Sequence, residues 1–464
     1  MKKYLALILG VLFVLSFAAS AFAIHAEIPS ETQAVVAKGD IQITLGGEIR
    51  TRGWWLNNID SDSLPIKSRS NAYYDERVRL SLDAKVAPGV EGFVLLETSN
   101  GDFNGQTKDV YVWGSLNNKP GSDYTPGSTL LINEAWIVYS GSGLFGFNSG
   151  VKIGHMPLAL GEKQFFDHTK FGDDAIVFFM QPTKDLHVAL LTFKGIEGSN
   201  PDLGPDGGNS HDLDAYVALA TYKLDDKNTV GVNYTYLNQP NEAINVNNSS
   251  LSGFFRLKLQ DLSLHANGNI AGIGYKAEAD MQFGSVGEAP FKSDFKGYAL
   301  MLGLNYKMDP ATLRASAAYG SGQKDSSDID EFITFVGHDQ HYTLVYDYSV
   351  ATAGAVTGLI GGKGHDTGIA NTTYFNLGVD YAATKDLNMS LDGYILRASK
   401  TDIFGSGVSK NIGWEVDAKA AYQLAKNLTY QVDAGYLKAG NFYRDVVGEK
   451  KSATVLRHQI TLSF

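Results

Sequence analysis

Arginine recurs at every second position in two short stretches of this chain. Arg50 and Arg52 lie in "GGEIRTRGWW", Arg77 and Arg79 in "YDERVRLSL", and a fifth, Arg457, in "VLRHQITLSF". A two-residue spacing places side chains on one face of a strand, so each pair aims two guanidinium forks the same way. Guanidinium stays cationic at any working pH and offers planar pairs of donors to carboxylates and phosphates. The chemistry this suits is the binding and orientation of anionic groups rather than the making of bonds. Carboxylates follow the same parity elsewhere: Glu48 beside the first arginines, Glu278 and Asp280 in "YKAEADMQFG", Glu415 and Asp417 in "GWEVDAKAAY", with Asp380, Asp392 and Asp433 on similar segments.

Other site chemistries find little support. "KDSSDIDEF" brings Asp325, Asp328, Asp330 and Glu331 close together, but it lacks the glycine and the spacing of a calcium loop. It reads as a solvated loop. "GGKGHDTG" does not fit a phosphate loop. His338 and His341 in "GHDQHY" could ligate a metal, but two lone histidines in a loop decide little. A barrel hydrolase would need a nucleophile, a base and an orienting group, and no Ser, His and Asp sit at a spacing that suggests one. With no Cys there are no disulfides, thiolate metal sites or thioether-linked haem. No cofactor is expected, and the chain is read as a non-enzyme.

These residues must be positioned by strands. Alternation in "IQITLGGEIRTRGWW" sets Ile41, Ile43, Leu45 and Ile49 against Glu48, Arg50 and Arg52, and "YYDERVRLSLDAKV" sets Val78, Leu80 and Leu82 against Arg77 and Arg79. The pattern recurs along the chain to give about eighteen strands, an even number within the range of membrane barrels. Connectors alternate in length. Tight turns such as "APG" after Val86, "DDKN" after Leu224 and "DPA" after Met308 alternate with long Gly-, Asp- and Ser-rich segments such as residues 56–72, 100–128 and 323–371. Short turns at one end and long loops at the other suit a barrel with periplasmic turns and extracellular loops. Aromatic residues bracket apolar faces, as Tyr298 and Tyr306 do around Leu300, Leu302 and Leu304, which fits interfacial girdles. Phe464 closes the last alternating face and is expected to meet lipid on a strand that pairs with the first.

The opening "MKKYLALILGVLFVLSFAASAFA" is expected to be a secretory signal cleaved after Ala23. Residues 24–40 read as a periplasmic lead-in without strands and 41–464 as one all-β transmembrane antiparallel barrel. The net charge is −11, which argues against nucleic acid as a partner.

Several stretches resemble the alginate-export-type 18-stranded outer-membrane porin family, and within it the porin-like channel proteins of metal-respiring bacteria. "LGGEIRTRGWWLNN" with "YYDERVRLSLDAKVAPGVEGFVLLE" resembles the family's charged first hairpin. "EAWIVYS", "VKIGHMPLALGEKQFFDH" and "YKAEADMQFG" resemble its middle, and "NIGWEVDAKAAYQLAKNLTYQVDAGYLKAGNFY" its final hairpins. His155 departs from the pattern, standing where the family often has Arg. The resemblance implies a passive channel and makes Phe464 similar to the insertion signal read by barrel-assembly machinery.

The expectation is therefore an integral outer-membrane channel, in contact with outer-membrane lipid, for small hydrophilic solutes or ions. Its inward side would carry Arg50, Arg52, Arg77, Arg79 and Arg457 as one patch once the barrel closes, with Glu48 among them. Glu278, Asp280, Glu415, Asp417 and Asp433 would lie elsewhere on the lining. Two readings of the patch stay open: a field that orients solutes, or local ion pairs that fill space. The alternatives for the whole are a sheath or partner of an outer-membrane cytochrome conduit, and an exporter of an anionic polysaccharide.

Overall fold

The computed structural model turns this alternation into one antiparallel sheet, and it describes residues 34–38, 41–59, 70–100, 111–113, 128–142, 145–196, 212–243, 254–287, 292–325, 327–336, 342–349, 352–354 and 367–464. Six long strands open it: β1 (Ile41–Asn57), β2 (Ser70–Ala87), β3 (Val90–Asn100), β4 (Ser128–Gly141), β5 (Ser149–Met156) and β6 (Asp173–Met180). Six follow: β7 (Leu186–Ile196), β8 (Leu213–Lys223), β9 (Asn228–Ala243), β10 (Phe254–Ile270), β11 (Ile273–Val286) and β12 (Tyr298–Met308). The last six are β13 (Ala311–Gly320), β14 (Thr372–Ala382), β15 (Leu387–Ala398), β16 (Asn411–Ala425), β17 (Leu428–Ala439) and β18 (Ala453–Ser463). All eighteen coincide with stretches read as strands from the sequence. β18 returns to pair with β1, from Glu48↔Ser463 to Asn57↔Thr454. Closure leaves no unpaired edge between them.

The first residues of β1 lie beyond that seam. There Ala34–Lys38, expected to be irregular, forms a strand antiparallel to β1, with Ala34↔Leu45 and Lys38↔Ile41. β2 already occupies the other side of β1, so this short strand supplies the partner that β18 does not reach. Residues 1–33, with the expected signal, lie outside the described residues.

The outward faces are apolar and exposed. Leu377 is 73% exposed and Ile137 65%, values that a sheet in water does not sustain over a whole surface. Tyr298 and Tyr306, Trp414 and Tyr422, and Tyr430 and Tyr436 all lie on this face, each pair bracketing a shorter apolar run. No helix among the described residues is long and apolar enough to cross a membrane; the strands form the apolar band instead.

The interior is not empty. The β5–β6 connection folds inward and buries Leu158, Leu160, Phe165 and Phe166. The β13–β14 connection does the same with Phe332, Ile333, Val345, Tyr346 and Ile369. The two meet where Phe166–Asp167 pairs in parallel with Phe335–Val336 and Phe165 packs edge-on against Phe335 at 5.7 Å. A helix, Asn441–Val447, adds Phe442 and Tyr443 to the same core. Apolar side chains on inward positions of β6 to β8, including Val177, Ala189 and Val217, complete it. Long loops thus fill part of the barrel rather than standing wholly outside it.

Candidate functional site

β1 and β2 run side by side with Arg50 opposite Arg77, Glu48 opposite Arg79 and Arg52 opposite Asp75. On the other side of β1, Arg457 stands opposite Trp54. Strand parity and closure therefore bring all five predicted arginines to one inner wall. Most are engaged there. Arg52 Nε donates to Asp75 Oδ1 at 2.7 Å, and Trp54 Nε1 donates to the other oxygen at 2.6 Å. The Arg52 and Arg457 guanidinium carbons each lie 5.0 Å from the Trp54 ring, within cation–π range. Arg77 donates twice to Glu48 Oε1, at 3.0 and 2.6 Å, and Arg79 donates to Glu97 on β3.

Arg457 is different. Its Nε donates to Asp433 Oδ2 at 2.9 Å, while Gln431 holds both oxygens of that carboxylate at 2.8 and 2.9 Å. The terminal nitrogens of Arg457 are left for the cavity that it lines. That cavity, about 740 Å³, has Arg50, Arg52 and Arg457 on the seam side. Arg314, Asp380, Asp392, Asp417, Lys419 and Asp433 line it from β13 to β17, and Tyr342 and Leu344 of the inward β13–β14 loop border it.

The predicted acids part company. Asp417 and Asp433 line this cavity, whereas Glu278, Asp280 and Glu415 do not. Glu278, 3% exposed, accepts the backbone N–H of Glu162 and so holds the β5–β6 loop. Asp280 is buried beside it, opposite Ser263. Glu415, fully buried, accepts the N–H groups of Val345 at 2.5 Å and Tyr346 at 2.9 Å, and Asp417 accepts that of Leu344 at 3.0 Å. Three successive amides of the β13–β14 loop are thus docked on two carboxylates of β16. Tyr346 donates or accepts at Thr372 Oγ1, 2.8 Å away, and burial raises its phenol above the ordinary range.

Two charged cavity residues were missed, Arg314 and Lys419. Both obey the parity that found the others: "EVDAKAAY" sets Lys419 on the face of Glu415 and Asp417, and "TLRASAAY" alternates through Arg314. Lys419 stands opposite Asp433 in the ladder and makes no ion pair among the described residues. Phe464, the predicted lipid-facing aromatic, forms a backbone pair with Gly47: Gly47 N–H donates at 2.6 Å and Phe464 N–H at 2.9 Å. Its ring lies over Gly47, where a Cβ would meet ring carbons.

The remaining motifs resolve simply. Asp328 pairs with Lys296 at 2.5 Å, and that bond, helped by the Asp294 N–H, holds its carboxyl below the usual range. No group of three His, Asp or Glu among the described residues is arranged to hold a metal. His155 bonds Asp174 at 3.0 Å and the Phe171 carbonyl at 2.7 Å. His338 and His341 lie outside the described residues.

No protein-family model matches the chain, and no curated protein matches it in sequence. Solved structures do share the fold. Pseudomonas aeruginosa OccK9 (OpdG) superposes with a TM-score of 0.54 at 12% identity, over 91% of this chain and 98% of that one. Pseudomonas aeruginosa OpdL gives 0.53 at 11% identity over the same shares. Pseudomonas aeruginosa OpdK with vanillate gives 0.51 at 11%, over 90% of this chain and 98% of that one. At such identities the likeness is one of fold: a closed barrel of eighteen antiparallel strands.

Proposed function

We propose that this chain is an integral outer-membrane porin that lets small hydrophilic solutes or ions diffuse passively across the bilayer. One observation carries the reading: a polar, charge-lined cavity inside a closed barrel whose outer face is apolar. The solved barrels that the chain superposes on include outer-membrane porins of Pseudomonas aeruginosa, one of them OpdK with vanillate, a carboxylate. The lining has five cationic residues (Arg50, Arg52, Arg314, Lys419, Arg457) and four anionic ones (Asp380, Asp392, Asp417, Asp433). Near balance supports weak ion selectivity, with Lys419 and Arg457 offering unspent donors to anionic groups.

The finer resemblance, to alginate-export-type porins of metal-respiring bacteria, rests on the sequence motifs quoted above. The partner roles remain part of the proposal: lipid around the apolar band and barrel-assembly machinery reading Phe464. A cytochrome sheath or a polysaccharide exporter needs a wide bore, and the inward loops of this barrel narrow it. The reading involves no bond-making chemistry: the lining it rests on is arginines, a lysine and aspartates that hold and orient ions rather than a nucleophile set beside a base.

The test is conductance of the purified, folded protein in a planar bilayer. Stepwise channels with a reversal potential close to zero in a salt gradient are expected. Bilayers that stay sealed with folded protein inserted would overturn the reading.

A further inference from the structure

The wall formed by β13, β14 and β15 holds a contact that depends on one missing side chain. Arg314 on β13, Gly378 on β14 and Asp392 on β15 form a single row across the ladder. Arg314 crosses the middle strand above Gly378. Its Nη1 and Nη2 donate to the two oxygens of Asp392 at 2.9 and 2.8 Å. The same guanidinium clamps Asp380 through Nε at 2.8 Å and Nη2 at 3.0 Å. Four of its five N–H donors are used. A Cβ on Gly378 would lie 3.1 Å from the guanidinium carbon and collide with an oxygen of Asp392. Gly378 has no positive φ, so backbone freedom does not explain it; the open space above it is what Arg314 occupies.

Ser390 donates to Asp380 at 2.7 Å and Asn376 to Asp392 at 3.2 Å. With Arg314 in place each carboxylate has three of about four acceptor sites filled, although Asp380 remains 44% exposed to the cavity. Without Arg314 each keeps one neutral donor and faces the lumen as an uncompensated charge.

We propose that Arg314, seated by Gly378, is the specificity-determining residue of this wall: by neutralising Asp380 and Asp392 it keeps the lumen from selecting cations. The proposal rests on the porin reading for its consequence and on geometry alone for its mechanism, so two measurements separate them.

The first reads the clamp without any transport. Folded protein in detergent is treated with a water-soluble carbodiimide and glycine ethyl ester, and amidation is followed by mass spectrometry. Asp392 should react several-fold faster in Gly378→Val and Arg314→Gln than in the parent. Equal reactivity in all three would overturn the clamp.

The second reads selectivity. Arg314→Gln should raise the cation-to-anion permeability ratio by about two- to fivefold at low salt. Gly378→Val, which changes no charge, should move it the same way by less. Adding Asp380→Asn and Asp392→Asn to Arg314→Gln should reverse the shift. If the parent conducts and both Arg314→Gln and Gly378→Val keep its reversal potential, Arg314 does not set selectivity. Heat-modifiable migration on gels shows that each variant is folded, and a variant that fails it is replaced by Gly378→Ala or Arg314→Met, for which the same two outcomes decide.

Discussion

Lys419 joins no ion pair among the described residues, and Arg457 gives Nε to Asp433 and keeps its terminal nitrogens toward the cavity. Arg77, by contrast, spends two donors on Glu48 and does not line the cavity. Replacing Lys419 and Arg457 together with Gln should therefore shift the reversal potential toward cations, whereas Arg77→Gln should leave it nearly unchanged. The shift should fade in 1 M salt, where the Debye length is about 3 Å. A double variant with the parent's reversal potential at low salt would make these cations mere filler. At this scale parity was legible in the sequence: every predicted arginine faces inward because a strand alternates sides. Which of them meets a carboxylate was not, because that depends on cross-strand register. Gly378 illustrates the gap. Its role exists only once Arg314 and Asp392 are seen to be its ladder neighbours.

The inward β13–β14 loop is the element that divides the barrel interior, and Glu415 with Asp417 is its dock. Glu415→Ala leaves the Val345 and Tyr346 amides buried without acceptors, at about 1–3 kcal/mol each. Faster hydrogen exchange at residues 344–346 and noisier single-channel currents are expected, with the barrel still heat-modifiable. Unchanged exchange there would mean that apolar packing alone holds the loop. The sequence marked this segment as a long loop by its length, and composition alone pointed to solvent. The contrary signal was local: "YTLVYDYS" and "EFITFV" concentrate large apolar residues that a solvated loop does not need. The docking carboxylates gave no such hint, since a buried acid that accepts backbone N–H groups has the same letter as one that faces water. The short strand Ala34–Lys38 was missed: "AVVA" holds only two β-branched residues, and its pairing follows from where β18 stops.

The number and order of the strands, and the need to close them, were readable from alternation, turn spacing and the cost of an open edge in hydrocarbon; the filled interior was not, because it depends on contacts between loops far apart in sequence. The closure itself has a small lock, the Phe464 ring over Gly47. Phe464→Asp removes the ring and Gly47→Val fills its place, so either should reduce the heat-modifiable fraction recovered from membranes. A charge near the interface costs only about 0–1 kcal/mol, so a large deficit would reside in assembly rather than in the stability of the finished barrel. Undiminished folded protein from both variants would count against the lock. Neighbouring strands elsewhere meet across connections of modest length, but Glu48 and Ser463 are paired from opposite ends of the sheet, roughly 400 residues apart. For an unordered chain of such length, loop-closure entropy is about 5 kcal/mol, and contacts this distant slow folding as a whole. Pairing strand by strand in chain order would leave the seam for last, and hydrocarbon does not tolerate it open. Until it forms, β1 and β18 are two raw edges whose amides and carbonyls need a temporary partner, so the time this barrel spends unfinished is set by one joint.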